Sequence, residues 1–420
     1  MGSLNDDVLI VGGGIGGLAL ALELHAAGIP CRIYEAAPEI KAIGVGINIL
    51  PHAQRVLSRL GLEAAMAAVA VETKEAAFYN RFGQHIYTEP LGRAAGYAWP
   101  QFSIHRADLQ RLLVDAVIER LGADRLHLGW HATRVDSDAT GATVRFADCD
   151  ERPLDDQRGS IAIACDGVNS VVRKQLHPGE REPRYSGVTM WRGVTKMKPV
   201  LTGATFVRAG WLNPGKLVMY PIRNAIDAEG NQLMNWLAEN ETPQRVARDW
   251  TRKGYLNDFI APFADWQWDW IDVPEMFRRA ETILEYPMVD QDPLDRWTDG
   301  RVTLLGDAAH PMVPRGSNGA GQAILDAKVL TELLRAHTDW AEALVAYDAV
   351  RRPATANVVL TNRTNPPDAI LRIVYERTGD RPFERIEDVV SRAELVAITD
   401  AYKKVAGYDP ASLTSAAVPG

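Results

Sequence analysis

The chain has 420 residues, 46% of them hydrophobic and 24% charged, with a formal net charge of −8. That is enough apolar material for a sizeable core in two or three domains, and the acidic balance argues against a nucleic-acid or anionic-membrane surface. Its three cysteines, Cys31, Cys149 and Cys165, are scattered without a C-x-x-C pair, so neither a disulfide framework nor a zinc site is indicated, and no metal is expected.

Met1–Asp7 is polar and acidic and lacks the basic start and apolar stretch of a secretory signal. No segment approaches the roughly 18 apolar residues of a membrane span, so a cytoplasmic protein is expected. Val8–Val11 is a short apolar strand ending in glycines, Ile15–Ala26 reads as a helix, and Cys31–Tyr34 is a second strand closed by Glu35. This is the βαβ opening of a parallel sheet. Pro51–Leu60 and Arg106–Leu121 carry helical spacing. Leu126–Leu128, Ala142–Phe146 and Ile161–Cys165 read as strands. After Arg184 the pattern changes. Segments 187–195, 204–209, 216–222 and 232–238 alternate with turn residues, as an inserted antiparallel sheet does. Trp250–Phe263 is expected to be helical, with Trp266, Trp268 and Trp270 packing it against that sheet. Arg301–Leu305 returns to a strand, Gly319–Arg335 and Tyr347–Arg363 are helices, and Pro366–Pro367 break the pattern. The last fifty residues read as amphipathic helices with a loose tail.

Three turns carry chemistry. Gly12-Gly13-Gly14-Ile15-Gly16-Gly17 follows a strand and opens a helix, the context in which such a turn cradles a pyrophosphate on free helix N–H groups. Glu35, at the end of the second strand, is placed to accept both hydroxyls of an adenosine ribose; the bland alternative is a solvated acid. Ile161–Cys165 runs into Asp166-Gly167, followed by Ser170 and Arg173, at the sheet edge where α/β folds place ligands. Arg301–Leu305 runs into Gly306-Asp307-Ala308-Ala309-His310, with Pro314, Gly316 and Gly319 behind it. A second acidic turn so far downstream of the first implies a long dinucleotide with two ends to hold. Asp307 would reach the ribityl chain or pyrophosphate, and Gly316, Gly319 and Gly321 would let backbone approach a flat ring. His310 has no ligand-spaced partner and reads as structural.

In this order the motifs resemble the single-component FAD-dependent aromatic-ring monooxygenases, the para-hydroxybenzoate hydroxylase-like group, over at least residues 6–360. Segments 44–49, 103–106, 189–195, 286–290 and 322–326 are similar to its phenazine-modifying members. The resemblance implies an α/β fold: a Rossmann-like FAD-binding domain (1–73, 100–183 and 281–345), an inserted antiparallel-sheet substrate domain (74–99 and 184–280) and a helical C-terminal segment (346–420). It assigns Gly12, Gly14, Ile15, Gly16, Gly17, Glu35, Arg106, Ala132, Asp166 and Asp307 to FAD. It places Val45 and Gly46 beside the flavin ring, and gives the backbone of Gly319, Ala320 and Gly321 to its pyrimidine end. Asp166 and Arg173 are implicated in NAD(P)H use as well. Two positions depart from the family pattern: Ala164 replaces a glycine before Asp166-Gly167, and Gly321 replaces an asparagine.

The implied activity consumes NADH or NADPH and O2 and hydroxylates a small aromatic or N-heteroaromatic ring through a flavin C4a-hydroperoxide, with or without loss of a ring carboxylate. The alternatives are a flavin dehydrogenase or reductase that does not activate O2, and a flavin-binding protein without catalysis. Candidate pocket residues are Arg192, Met219, Tyr220, Asn235 and Trp236 from the inserted sheet, with Pro311, Met312 and Pro314 from the flavin side. Arg192 is either a partner for a carboxylate or phenolate, or an ordinary salt-bridge arginine. Strand alternation puts Trp191 and Arg192 on opposite faces. No nucleic acid or membrane partner is expected, and the chain would be a monomer or homodimer.

Overall fold

The computed structural model describes residues 7–40, 44–243 and 252–415. Five short strands lie parallel in the order Val302–Leu304, Ile161–Ala164, Val8–Val11, Cys31–Glu35, Leu126–Leu128, with Thr298–Asp299 antiparallel at one edge. These strands are apolar along most of their length because both faces are covered, one by helices and the other by the three-stranded antiparallel sheet His131–Ser137, Ala142–Ala147, Gln157–Gly159, whose Phe146 packs on Tyr34. Helices Ile15–Ala26, Arg106–Leu121 and Gly319–Ala336 pack on this sheet or on one another around one core.

A second sheet of seven strands has the order Ile283–Asp290, Arg184–Met197, Gln232–Glu241, Gly215–Arg223, Thr205–Trp211, Glu75–Tyr79, His85–Pro90. The expected antiparallel sheet is present, with one parallel pair where Thr205–Trp211 meets Glu75–Tyr79. Both of its faces are buried. One packs on Phe259, Phe263, Trp266 and Phe277. The other packs on Val313 and on Ile370, Leu371, Val374 and Leu395 of the C-terminal helices. Trp191, Met219 and Trp236 lie on the first face; Met190, Tyr220 and Leu237 lie on the second. Trp236 is fully buried, and its indole N–H donates to Thr195 Oγ1 at 3.0 Å. Trp236→Ala is therefore expected to lower stability by about 3–5 kcal/mol in a denaturant titration.

The helix expected over Trp250–Phe263 is not found. Trp250 and Thr251 lie outside the described residues, and the remainder carries only 3-10 turns at Leu256–Asp258 and Ala261–Phe263. Gly254 crosses close over Trp191, where even a Cβ would come within 2.8 Å of the indole, and Pro262 removes a helix donor. The segment is held instead by its buried rings, Phe259 and Phe263. The tryptophans after it do pack against the sheet, but from the hairpin Gln267–Trp268/Ile271–Asp272. The C-terminal part is helical, as expected, in Trp340–Thr364, Ala369–Thr378, Arg392–Ala406 and Pro410–Ser415.

Candidate active site

The parallel sheet brings the three chemical turns together. Val11 pairs with Tyr34 on one side and Ala164 on the other, and Ala164 pairs with Leu304. Gly12, Glu35, Cys165-Asp166 and Gly306-Asp307 therefore leave adjacent strands at one carboxyl edge, where open α/β sheets bind their ligands. Ala164 is buried between two strands, and its methyl is accommodated.

The first turn fits a dinucleotide on geometric grounds. Gly12 has φ +109°, and a Cβ there would lie 2.3 Å from the Cys165 carbonyl oxygen. A Cβ on Gly17 would lie 2.1 Å from Gly12 O, while one on Gly16 would touch Leu305 and Ala323 of the neighbouring layer. Around Gly14, by contrast, no atom of the described residues beyond its own chain neighbours lies within 4 Å of such a Cβ, so the cradle is open on the ligand side. Gly14 caps the helix beginning at Ile15, whose first-turn N–H groups point into that opening. Glu35 is half-buried. Its Oε2 accepts from Gly13 N at 2.6 Å and its Oε1 from Ala37 N at 2.8 Å, so each oxygen keeps a free lone pair for a ribose hydroxyl. Gln110, which the sequence did not single out, donates to Gly13 O at 3.0 Å and braces the turn. Ala132 is buried on the strand His131–Ser137, leaving only its backbone for a ligand.

At the other end Asp307 is exposed, and its Oδ1 lies 3.9 Å from where a Cβ on Gly319 would be. Arg106 is also exposed, has no ion pair among the described residues, and extends over Gly44. Helix Gly319–Ala336 makes its first internal bond from Gln322 N to Asn318 O. The N–H groups of Gly319, Ala320 and Gly321 precede that bond and are helix-start donors. Buried His52 faces this start, with Nε2 3.0 Å from Asn318 Oδ1; burial lowers its pKa to about 3, so it is neutral and donates to the amide. Neither His52 nor Asn318 was visible as a site residue in the sequence.

Asp166 accepts from Val171 N at 2.9 Å through Oδ2 and, among the described residues, leaves Oδ1 buried without a hydrogen bond; burial raises its pKa. Arg173 has a different role from the one its motif implies. Nη1 donates to Ala308 O and Ala309 O at 2.9 and 2.8 Å, and Nε donates to Glu180. It is a buried brace under the Asp307 turn and presents no free guanidinium edge to a nicotinamide cofactor. His310 is buried with Nε2 2.6 Å from Asp326 Oδ2, which also accepts from Gly306 N. Burial pushes the Asp326 carboxyl up, but Arg351 and His310 outweigh it and hold the pKa below its usual value. His310 thus anchors the turn from beneath.

Gly316 also answers to a different partner. Its φ is +89°, and a Cβ would meet the Tyr402 hydroxyl at 2.0 Å. The loop from Pro311 to Asn318 is seated on the C-terminal helix Arg392–Ala406, with Tyr402 donating to Asn362 at 2.8 Å. Pro314 is exposed beside buried Val313. Gly316→Ala should cost about 2–4 kcal/mol in thermal or denaturant unfolding, from backbone strain plus overlap. Combining it with Tyr402→Leu should recover the overlap part and leave the strain, a coupling readable in a double-mutant cycle.

The inserted sheet meets the flavin-side loop at Gly46. Three side chains from three adjacent strands hold the two peptide groups that flank Gly46. Arg192 Nη2 donates to Gly46 O at 2.6 Å, Tyr220 OH donates to the same oxygen at 2.8 Å, and Gly46 N donates to Asn235 Oδ1 at 2.7 Å. A Cβ on Gly46 would lie 2.7 Å from Ile222, so only glycine permits the approach. Val45 is buried beside it, and its carbonyl accepts from Arg106 N. Tyr220 is buried and stacked on Phe206 at 4.9 Å. Burial raises its pKa against the opposing Arg192 charge, so it is a neutral donor. Arg192 is partly buried and forms no salt bridge among the described residues, and its Nε is buried without a partner. Met219 and Trp236, expected among the lining residues, point to the opposite face. Among the described residues no group of three or more His, Cys, Asp or Glu is placed to hold a metal ion, and no helix is long and apolar enough to cross a membrane.

Residues 5–362 match the FAD binding domain family. The chain is 41% identical to phenazine 1,6-dicarboxylic acid hydroxylase PhzS of Lysobacter antibioticus, over 95% of this chain and 97% of that protein. It is 31% identical to 3-hydroxybenzoate 6-hydroxylase of Polaromonas naphthalenivorans, over 85% and 86%. Among solved structures, Klebsiella pneumoniae HpxO complexed with FAD and uric acid shares the fold at a TM-score of 0.71 and 23% identity, covering 98% of this chain and 95% of that one. The chain belongs to the FAD binding domain family and is one of its flavoprotein monooxygenases, an FAD-dependent aromatic hydroxylase.

Proposed function

We propose that this enzyme hydroxylates a flat, carboxylated N-heteroaromatic of the phenazine-carboxylate class, using NADH or NADPH and O2 in the cytoplasm. Bound FAD would supply the redox chemistry, accepting electrons from the nicotinamide and activating O2. The protein's part is to hold the cofactor and present the ring. Gly12, Gly14, Ile15, Gly16, Gly17, Glu35 and Ala132 would hold the adenosine and pyrophosphate. Arg106, Asp166 and Asp307 would hold the ribityl side. Val45, Gly46 and the N–H groups of Gly319, Ala320 and Gly321 would border the flavin ring. Tyr220 and Pro314 would line the substrate space.

The observation that carries the substrate class is Arg192. A guanidinium held beside the flavin-side loop with no carboxylate partner among the described residues leaves a charge for the substrate to neutralise. Its buried Nε, without a hydrogen bond among the described residues, and its bond to a neutral carbonyl fit that role and do not fit a structural salt bridge. The likeness to a phenazine dicarboxylate hydroxylase supports a polycyclic ring.

The test is a panel of phenazine-1-carboxylate, phenazine-1,6-dicarboxylate, unsubstituted phenazine and salicylate. NADH and NADPH oxidation, O2 uptake, peroxide and CO2 release would be followed together. Coupled turnover of the phenazine carboxylates is expected, with unsubstituted phenazine at least about tenfold poorer in kcat/KM. Equal turnover of the unsubstituted ring would remove the carboxylate from the proposal. Coupled turnover of salicylate alone would remove the polycycle.

A further inference from the structure

We infer that His52 keeps Asn318 from capping its own helix, and so reserves the N–H groups of Ala320 and Gly321 for the flavin ring. The inference rests on the placement of the ring proposed above, at the start of the helix Gly319–Ala336. Asn318 is the N-cap residue of that helix. Asparagine in this position ordinarily turns its side-chain oxygen onto the second or third N–H of the helix. Here it makes no such bond. Its Oδ1 instead accepts from His52 Nε2 at 3.0 Å. The first bond of the helix runs from Gln322 N to Asn318 O, and among the described residues no acceptor is found for the N–H groups of Gly319, Ala320 and Gly321. An uncapped helix start keeps those donors and the positive end of its dipole for a ligand.

His52 is itself held from two sides. It is buried in the first turn of the helix Pro51–Arg59. Its ring stacks on Tyr408 at 5.4 Å, and the Tyr408 carbonyl accepts from the Tyr97 hydroxyl at 2.7 Å. Tyr408 follows the C-terminal helix Arg392–Ala406. That contact therefore comes from beyond residues 5–362, which match the FAD binding domain family. Because burial keeps the imidazole neutral, His52 contributes a hydrogen bond to Asn318 and no charge to the helix start.

The glycine at position 321 fits the same arrangement. A Cβ on Gly321 would lie 3.1 Å from Asn318 Oδ1, and 3.3 and 3.4 Å from His52 Cε1 and Nε2. The His52–Asn318 pair thus stands where a side chain at 321 would begin. This gives a physical reason for glycine in place of the asparagine of the family pattern. His52 is a positioning residue, acting on the ring only through Asn318.

FAD titration into the full-length apoprotein and potentiometry of the FAD-loaded enzyme test this together. His52→Leu frees the Asn318 oxygen to cap Ala320 or Gly321, and FAD affinity is expected to fall at least about tenfold as those donors are taken. Reduced FAD, whose ring carries extra negative charge, should lose about tenfold more than oxidised FAD, which lowers the two-electron midpoint potential by about 30 mV. His52→Met, also without a donor, serves if the leucine variant does not fold. His52→Gln keeps an N–H donor and should restore affinity and potential. His52→Leu with Asn318→Ala removes the competing oxygen and should recover most of both. Weaker binding with an unchanged potential overturns the inference, because a general loss of structure weakens both redox states alike. So does a double variant no better than His52→Leu. Ala320→Asp, which sets a carboxylate among the same donors, tests the placement of the ring. If it leaves affinity and potential unchanged, that placement fails and the inference with it. If it lowers them while His52→Leu behaves as the wild type, the inference alone fails.

Discussion

Arg192→Met is expected to raise KM for a ring carboxylate by about 30-fold to several thousandfold, the cost of about 2–5 kcal/mol for removing one partner of a desolvated charge pair. Arg192→Lys should fall between, because it keeps the charge and loses the planar fork. FAD affinity should be unaffected in both variants, since Arg192 reaches the flavin side only through the Gly46 carbonyl. Steady-state kinetics on matched carboxylated and unsubstituted rings check this. A loss confined to the carboxylated ring assigns the charge to the substrate. An equal loss on both would mean that Arg192 acts by positioning Gly46, and the substrate proposal would lose its carrier. Asn235→Ala supplies the control for that second case, because it loosens the same residue, through its N–H, without altering charge.

The cofactor turns were legible in the sequence because each depends on backbone approach. Gly12, Gly17 and Gly46 have no room for a methyl group, so the constraint is written as residue identity at one position. The polar groups that complete the site left no such mark. Asn235 reaches Gly46, His52 reaches Asn318 and Tyr402 reaches Gly316 only because long-range packing brings distant segments together. The lining of the inserted sheet was half legible for a related reason. Alternation separates Trp191 from Arg192 and Met219 from Tyr220, but it does not say which set faces the flavin side when both faces are buried. Gly215–Arg223 is buried at every residue but its last, so its pattern has no polar face to read. The motif around Arg173 misled for the opposite reason. The family resemblance implicates Arg173 in NAD(P)H use, whereas here its donors support the carbonyls of Ala308 and Ala309 from below.

The dinucleotide turn allows its two uses of glycine to be separated experimentally. Gly12→Ala should damage the protein with or without cofactor. Its φ of +109° is foreign to alanine, and the new methyl would overlap the Cys165 carbonyl, in a residue whose own N–H is held by Val11 O. A loss of at least about 3 kcal/mol in unfolding of the apoprotein is expected, together with colourless purified protein. Gly14→Ala is the converse. Its φ of −76° and ψ of −178° are ordinary for alanine, and among the described residues nothing beyond its chain neighbours lies within 4 Å of the new methyl. The apoprotein should therefore unfold at unchanged denaturant concentration. A cofactor seated in the open cradle would meet that methyl, so FAD affinity should fall about tenfold to a hundredfold, the equivalent of roughly 1–3 kcal/mol of overpacking. Fluorescence titration of FAD into apoprotein reads the second effect, and denaturant unfolding reads the first. If Gly14→Ala binds FAD as tightly as the wild type, the pyrophosphate does not lie over this turn, and the assignment of the cradle at Gly12–Gly17 fails. If it destabilises the apoprotein as much as Gly12→Ala does, the turn is closed by protein contacts and is not an open cradle.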